Sequence, residues 1–222
     1  MTNPIAYSPL HAWQKAQAAQ FADYGPWRLA SVYSSVEAEQ AAAHAGLALA
    51  DLSALGKIRL QRKGIRDLLQ SESKPGQVFC LDGGRNGWVL IFSDNESLLL
   101  SAQPAGPNHI EEISPTHSGF RPDLAYEVTS GLACMVLFGP AKSVLIKQLT
   151  SLDLSNPGSC VQTGFAGVRS LLWSGSNSTW ILVAWDVAEY VWERLWQIGR
   201  SRGMIPMGMD SYLAMHAGKT PT

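Results

Sequence analysis

The run Gly83-Gly84-Arg85-Asn86-Gly87 has the glycine density of a phosphate cradle. It lacks the Lys-Ser/Thr ending and the following helix that such a cradle needs, so it reads as a glycine-rich turn. The five histidines (His11, His44, His109, His117, His216) show no short ligand spacing and no CxxC occurs, so no metal site is expected. Glu111 and Glu112 are adjacent; on a strand or a helix they diverge, and they cannot act as an acid and base pair on one substrate. No GxSxG elbow singles out a serine nucleophile. The chemistry that the residue types do offer is recognition of flat rings. Trp27, Tyr33, Trp88 and Trp173 offer stacking surfaces, and Arg28, Arg85 or Arg169 could hold an anionic tail. The competing reading for each tryptophan is a core or interface residue, since the chain has eight of them.

These residues need elements to position them. Leu10 to Asp23 has helical spacing and stops at Tyr24-Gly25-Pro26. A second helix is expected from Ser34, with Glu37 reaching back as a capping box, to Gly46. Lys57 to Gln61 alternates as a half-buried strand, and Ile65, Leu68 and Leu69 form a helical turn before Lys74-Pro75-Gly76. Trp88 to Phe92 and Ser97 to Ser101 read as a hairpin over a polar connection. The proline-rich stretch 103–123 reads as a long loop or subdomain junction. Leu132 to Phe138 is a continuous apolar run, hence a buried strand, followed by a helix from Ala141 to Leu149. Three more strands are expected at Val161–Phe165, Val168–Trp173 and Thr179–Ala184, then a helix from Val187 to Arg202 closed by Gly203.

Composition sets outer bounds. The 222 residues are 46% apolar, enough for one large domain or two small ones. A formal charge of −1 from 17 basic and 18 acidic residues leaves no electrostatic footprint for nucleic acid or an anionic membrane. Cys80, Cys134 and Cys160 are odd in number and widely spaced, which fits reduced thiols rather than a disulfide framework. Without a signal-like N-terminus or a long apolar run, a soluble cytoplasmic protein is expected.

Several blocks in order along the chain carry a resemblance. They are Ser8-Pro9-Leu10-His11-Ala12-Trp13, Tyr33-Ser34-Ser35-Val36-Glu37-Ala38-Glu39, and Ala45 through Asp51-Leu52-Ser53-Ala54-Leu55-Gly56-Lys57-Ile58. Further on come Val136-Leu137-Phe138-Gly139-Pro140-Ala141-Lys142 and Gly203-Met204-Ile205-Pro206-Met207-Gly208-Met209-Asp210 through Gly218. Together they resemble the glycine-cleavage T-protein family and the related gamma subunits of heterotetrameric sarcosine oxidases. Pro157-Gly158-Ser159-Cys160-Val161-Gln162-Thr163 is similar to the gamma-subunit type. The resemblance implies an α+β folate-binding domain over residues 1–222, built of two interleaved ferredoxin-like subdomains with their junction near 103–123 and lacking the family's C-terminal barrel. It also implies tetrahydrofolate as cofactor and a place in one-carbon and amine metabolism, with an oxidase or methyltransferase subunit as a possible partner.

The resemblance further implies an eroded site. The family's "TNxxGGxxDD" falls on Phe79 to Trp88, where Cys80 stands for the asparagine and Gly87 for the catalytic aspartate. The glutamate of "GYTGEDG" becomes Ser176, and in the last block the family's glutamate becomes His216 and its arginine Asp210. Folate contacts are therefore expected from Tyr33, Trp88, Trp173, Arg85, Ser176 and His216. The function expected is tetrahydrofolate binding with aminomethyltransferase-like ancestry. One alternative is an active aminomethyltransferase or demethylase with a relocated acid, Asp82 or Asp51; the other is a non-catalytic scaffold subunit of an amine-oxidising complex.

Overall fold

The computed structural model describes residues 5–61, 74–81, 87–106, 124–154 and 156–217. Its backbone is a six-stranded sheet whose central member, β10 (Leu132–Phe138), is apolar throughout because both faces are covered. Cys134, Val136 and Phe138 face one core, and Ala133, Met135 and Leu137 the other. Beside β10 run β13 (Ser178–Ala184), β12 (Val168–Ser174) and β11 (Ser159–Phe165) on one side, all antiparallel. On the other side lie β4 (Ala48–Asp51) and β14 (Ile205–Met207). One face of this sheet buries the apolar stripe of the helix α4 (Ala188–Gly199), whose Val191, Trp192 and Leu195 are fully buried, together with α3 (Lys142–Ile146).

The other face meets a second sheet of five strands: β6 (Val78–Cys80), β7 (Gly87–Ser93), β8 (Glu96–Pro104), β5 (Leu55–Gln61) and β9 (Leu124–Glu127). The period of two divides each strand's side chains between faces. Trp88, Leu90, Leu98 and Leu100 pack against the first sheet, while Val89, Ile91 and Leu99 form a separate small core behind. Two helices, α2 (Val36–Ala45) and α5 (Met209–Ala217), complete the cover of the inter-sheet core through Ala43, Met209 and Tyr212. A third sheet joins β1 (Ala6–Tyr7), β3 (Trp27–Val32) and β2 (Gln20–Tyr24). The architecture is thus mixed α and β with several sheets. No described helix is long and apolar enough to cross a membrane.

The strands expected from the sequence between Trp88 and Ala184 are present with ends shifted by at most three residues, including the hairpin of β7 and β8, where β8 runs on to Pro104. Four expectations differ. The helix expected over Ala141–Leu149 is α-helical only over Lys142–Ile146. The helix over Leu10–Asp23 stops early: α1 spans His11–Ala16, Ala18 takes φ +55°, and the chain turns back through Gly25 (φ +59°) as a β2–β3 hairpin. The helical spacing of Gln20 and Phe21 is overridden by antiparallel pairing with β3 across the Gly25-Pro26 turn. The cap of α2 is Ser35, whose hydroxyl accepts from Ala38 N at 3.2 Å; Glu37 reaches back to the Ser35 side chain, and the carboxylate that accepts from the backbone N–H groups ahead of the cap is Glu39. The α-helical part of Val187–Arg202 is confined to α4, with 3₁₀ turns at Trp185–Val187 and Arg200–Arg202 before Gly203 at φ +78°. Most of the expected 103–123 junction, and the turn at Ile65–Leu69, lie outside the described residues; β8 carries Gln103 and Pro104.

Candidate functional site

The alternation of β7, β12 and β13 sends a row of side chains into the seam between the two large sheets. Trp173 and Trp180 are direct cross-strand partners, and their rings stack with centroids 4.7 Å apart and planes 21° from parallel. Trp88 enters from the opposing sheet and lies 4.9 Å from each, tilted by 57° and 56°. The Trp180 indole N–H donates to Ser178 Oγ at 3.1 Å, which fixes that ring. Above them α5 brings Tyr212 and His216, whose rings are 4.3 Å apart, and His216 stands perpendicular to Trp88 at 6.2 Å. The His216 Nδ1–H donates to the Tyr212 carbonyl at 3.0 Å, which fixes the ring against the helix.

A cavity of about 400 Å³ opens over this aromatic cluster, within the range of small-molecule sites. Trp88, Trp173, Trp180, Ser176, His216 and Cys80 line it, with His44 and Asn177 at its margin. Trp173 and Trp180 are 5% and 2% exposed because each covers the other, and they form the floor. Trp88 is half-buried. The Asn177 side-chain amide donates one N–H to Ala43 O at 3.0 Å, which leaves Oδ1 and the second N–H as its other polar groups. Lys142 Nζ donates to Ser176 O at 3.3 Å and so sets an ammonium at the rim. None of the described lining residues is acidic. A flat ligand with a polar edge fits such walls; a recognition that depends on a carboxylate does not.

Of the residues expected to bind the ligand, Trp88, Trp173, Ser176 and His216 come together here. Tyr33 does not: it sits edge-on to Trp13 at 6.4 Å, away from the lining, and burial together with the charges of Asp51 and Glu39 raises its hydroxyl pKa. Arg85 and Asp82 lie outside the described residues. Of the other aromatic and cationic candidates, Trp27 packs 6.3 Å from Trp185, and Arg28 pairs with Asp23 at 2.7 Å. Trp180 and Lys142 were not singled out from the sequence. Trp180 is legible only once β13 is paired with β12, which places it opposite Trp173.

Asp51, the other candidate acid, is engaged elsewhere. One oxygen accepts from Gln14 Nε2 at 2.6 Å and from the Ser8 hydroxyl, and the other from Ser53 N at 3.0 Å and Ser53 Oγ at 2.6 Å. Burial raises its pKa while these bonds oppose the shift. With both oxygens doubly bonded, Asp51 clasps the N-terminal segment to β4 and has no lone pair left for a ligand. Nearby, Lys57 is fully buried, and its ammonium donates to Ser53 O and Leu55 O, each at 2.9 Å.

Burial lowers Lys57 to about 8 from an ordinary 10.5, against the opposing charges of Cys134, Asp51 and Glu127. Between those two values the unfolded chain holds a proton that the folded chain has released, so the contribution of Lys57 to stability rises with pH across that window. Cys134, pushed up to about 12, contributes the opposite slope above its ordinary 9. That slope is common to wild type and Lys57→Met. The stability difference between the two, read by urea unfolding at successive pH values, is expected to move in favour of wild type by on the order of 3 kcal/mol from pH 8 to 10.5. A pH-independent difference would show that Lys57 is not deprotonated on folding.

Gly87, the residue expected where the family carries its catalytic aspartate, opens β7 opposite Ser101. A Cβ there would meet Leu100 O at 2.6 Å and Ser101 Cα at 3.4 Å, both backbone atoms. Gly87→Asp is therefore expected to lower the thermal midpoint by several degrees, from overpacking of about 1–3 kcal/mol, and to confer no transferase activity. An unchanged midpoint would show that the β7–β8 pair yields there.

No protein-family model matches the chain. The sequence is 24% identical, over 92% of its length, to the aminomethyltransferase of Bacillus subtilis (strain 168), and 26% identical over 92% to that of Desulforamulus reducens. It is 23% identical over 99% to sarcosine oxidase subunit alpha of Corynebacterium sp. (strain P-1). The chain spans 62% and 61% of the two aminomethyltransferases and 26% of the oxidase subunit. In fold it is similar to the glycine cleavage system aminomethyltransferase T from Bartonella henselae, with a TM-score of 0.76 at 16% identity over 98% of this chain and 64% of that one. It is also similar to a chain of the heterotetrameric sarcosine oxidase from Corynebacterium sp. U-96, with a TM-score of 0.57 at 17% identity over 96% and 98%. The resemblance to the T-protein and sarcosine oxidase proteins carried by the sequence blocks recurs in both kinds of comparison.

Proposed function

We propose that the chain is a T-protein-like domain of one-carbon and amine metabolism that holds a reduced folate in the tryptophan-walled cavity. The observation that carries this reading is the convergence of Trp88, Trp173, Ser176 and His216 on one cavity of about 400 Å³ in a chain whose relatives are aminomethyltransferases. Bound tetrahydrofolate would supply the carrier nitrogens for a one-carbon unit; the chain's own residues position it. The pterin lies against Trp88, its polar edge meets Ser176 and Asn177 Oδ1, and the His216 ring closes the wall. Lys142 at the rim, in addition to Arg85, pairs with the anionic tail. Because these edge contacts are neutral, the loss of a charge-assisted pair at Ser176 removes roughly 1.5–3 kcal/mol, and affinity falls in the micromolar range or weaker. The finer expectations travel with this reading: two interleaved ferredoxin-like subdomains, a cytoplasmic location, and a partner subunit of the oxidase or methyltransferase type, for which the sarcosine oxidase likeness speaks.

The three cavity tryptophans make the test simple. Titration with 5-formyl-tetrahydrofolate is expected to quench tryptophan fluorescence saturably, whereas a linear inner-filter response up to millimolar ligand would refute binding. A second reading, an active transferase or demethylase, needs a carboxylate at the cavity, and the sequence supplies Asp82 two positions after the lining Cys80. Folate-dependent turnover by the isolated chain that vanishes in Asp82→Asn would favour it; absence of turnover beside intact binding favours the carrier or subunit role.

A further inference from the structure

The seam between the two large sheets has a second mouth, at the end away from the tryptophans. Along β7 the inward residues run Trp88, Leu90, Phe92, and two residues of strand advance by about 6.6 Å, so Phe92 stands on the order of 13 Å from Trp88. On β12 the same face runs Trp173, Leu171, Arg169, and on β13 Trp180, Leu182, Ala184. At the Phe92 end a cavity of about 290 Å³ opens, walled by Phe92, Leu98, Leu132, Leu171 and Leu182. The walls are deep: Leu98 and Leu182 are each 2% exposed.

Two guanidiniums stand at this mouth, Arg59 from the five-stranded sheet and Arg169 from the six-stranded one. No described lining residue is acidic. Arg169 donates to the Gln162 amide oxygen at 3.3 Å, a neutral partner. Arg59 pairs through one Nη with Glu96 on the neighbouring strand, which leaves its other N–H groups for a second acceptor. An apolar slot open at one end, with one cation contributed by each sheet, is complementary to a ligand with an apolar body and a single carboxylate, the planar fork of arginine being suited to that head group.

We propose that this second mouth is a binding site for a small apolar monocarboxylate, a medium-chain aliphatic or aryl-alkyl acid, with its tail among Phe92, Leu171 and Leu182 and its carboxylate between Arg59 and Arg169. The site is separate from the tryptophan-walled cavity, and the inference does not rest on the folate reading. Its ligand needs no group with the shape of a pterin.

Calorimetric titration of the whole chain with sodium octanoate tests it, with 1-octanol as the neutral counterpart. One saturable site is expected, weakened at least about tenfold in an Arg59→Gln/Arg169→Gln double variant and retained within a few-fold in Arg169→Lys. Arg169→Gln alone, on an exposed strand position, supplies a second variant should loss of the Arg59–Glu96 pair disturb folding; it is expected to weaken octanoate severalfold with an unchanged melting curve. Octanol is expected to bind at least about tenfold more weakly than octanoate. Three results would overturn the proposal. They are no saturable octanoate heat up to millimolar, which would leave the groove to a protein surface; equal affinity in wild type and Arg169→Gln; or displacement of octanoate by 5-formyl-tetrahydrofolate, which would place the acid at the tryptophan mouth.

Discussion

Trp88→Ala is expected to weaken reduced-folate binding by about 10- to 100-fold, which corresponds to ~1.4–2.7 kcal/mol. Trp173 and Trp180 are stacked on each other and nearly sealed, so the indole with a surface turned to the cavity is that of Trp88. Replacing it removes the area that a pterin would cover together with an aromatic pair worth about 0.5–1.5 kcal/mol beyond area burial. Trp88→Phe keeps a smaller aromatic face and is expected to fall between the two. Affinities from ligand titration, with a melting curve for each variant, separate this effect from unfolding. A Trp88→Ala protein that melts cooperatively and binds folate as wild type does would show that the ligand uses another wall.

The largest effect on stability is expected from Glu39→Ala, a loss of about 3–5 kcal/mol. Glu39 is wholly buried on α2, and its carboxylate serves four donors. Oε1 accepts from Tyr33 N at 2.6 Å and Ser34 N at 3.1 Å; Oε2 accepts from Gly208 N at 2.8 Å and Ser211 Oγ at 2.6 Å. Alanine would leave three backbone N–H groups and a hydroxyl without that acceptor. The same carboxylate ties the β3–α2 turn to the start of α5, the helix that carries Tyr212 and His216 to the cavity. The turn is tight: a Cβ on Gly208 would lie 2.1 Å from Ser31 O. Urea unfolding is the measurement, and a loss below 1 kcal/mol would show that water or backbone relaxation satisfies these donors. Glu39→Gln, with one acceptor oxygen, is expected to lose less than alanine.

Glu39 also shows why part of this molecule could not be read along the chain. An acid on an alanine-rich helix has the appearance of a solvated face, and its four partners come from segments up to 172 positions away. Lys57 is the same case on a strand: an alternating polar position reads as the wet face, yet that face is the one the six-stranded sheet covers, and the ammonium is held there by Ser53 O and Leu55 O. Asp51 reads from the sequence as a carboxylate beside the site, but which donors consume it depends on α1 folding back over β4. What local pattern does specify came through. The apolar run of β10, the β7–β8 hairpin and the amphipathic stripe of α4 each bury the face that their periodicity implies. Trp88, Trp173, Ser176 and His216, named before any pairing was known, meet because strand register and the α5 position carry them there. Tyr33 belongs to the same set by type alone, and its ring serves the Trp13 side of the molecule instead.

A direct measure of the central claim is calorimetric titration of the 222-residue chain with 5-formyl-tetrahydrofolate, run in parallel on Trp88→Ala. The account predicts one saturable site per chain, with a dissociation constant in the micromolar range or weaker, and its loss or marked weakening in the variant. Absence of saturable heat up to millimolar ligand, in a wild-type sample that melts cooperatively, would contradict it.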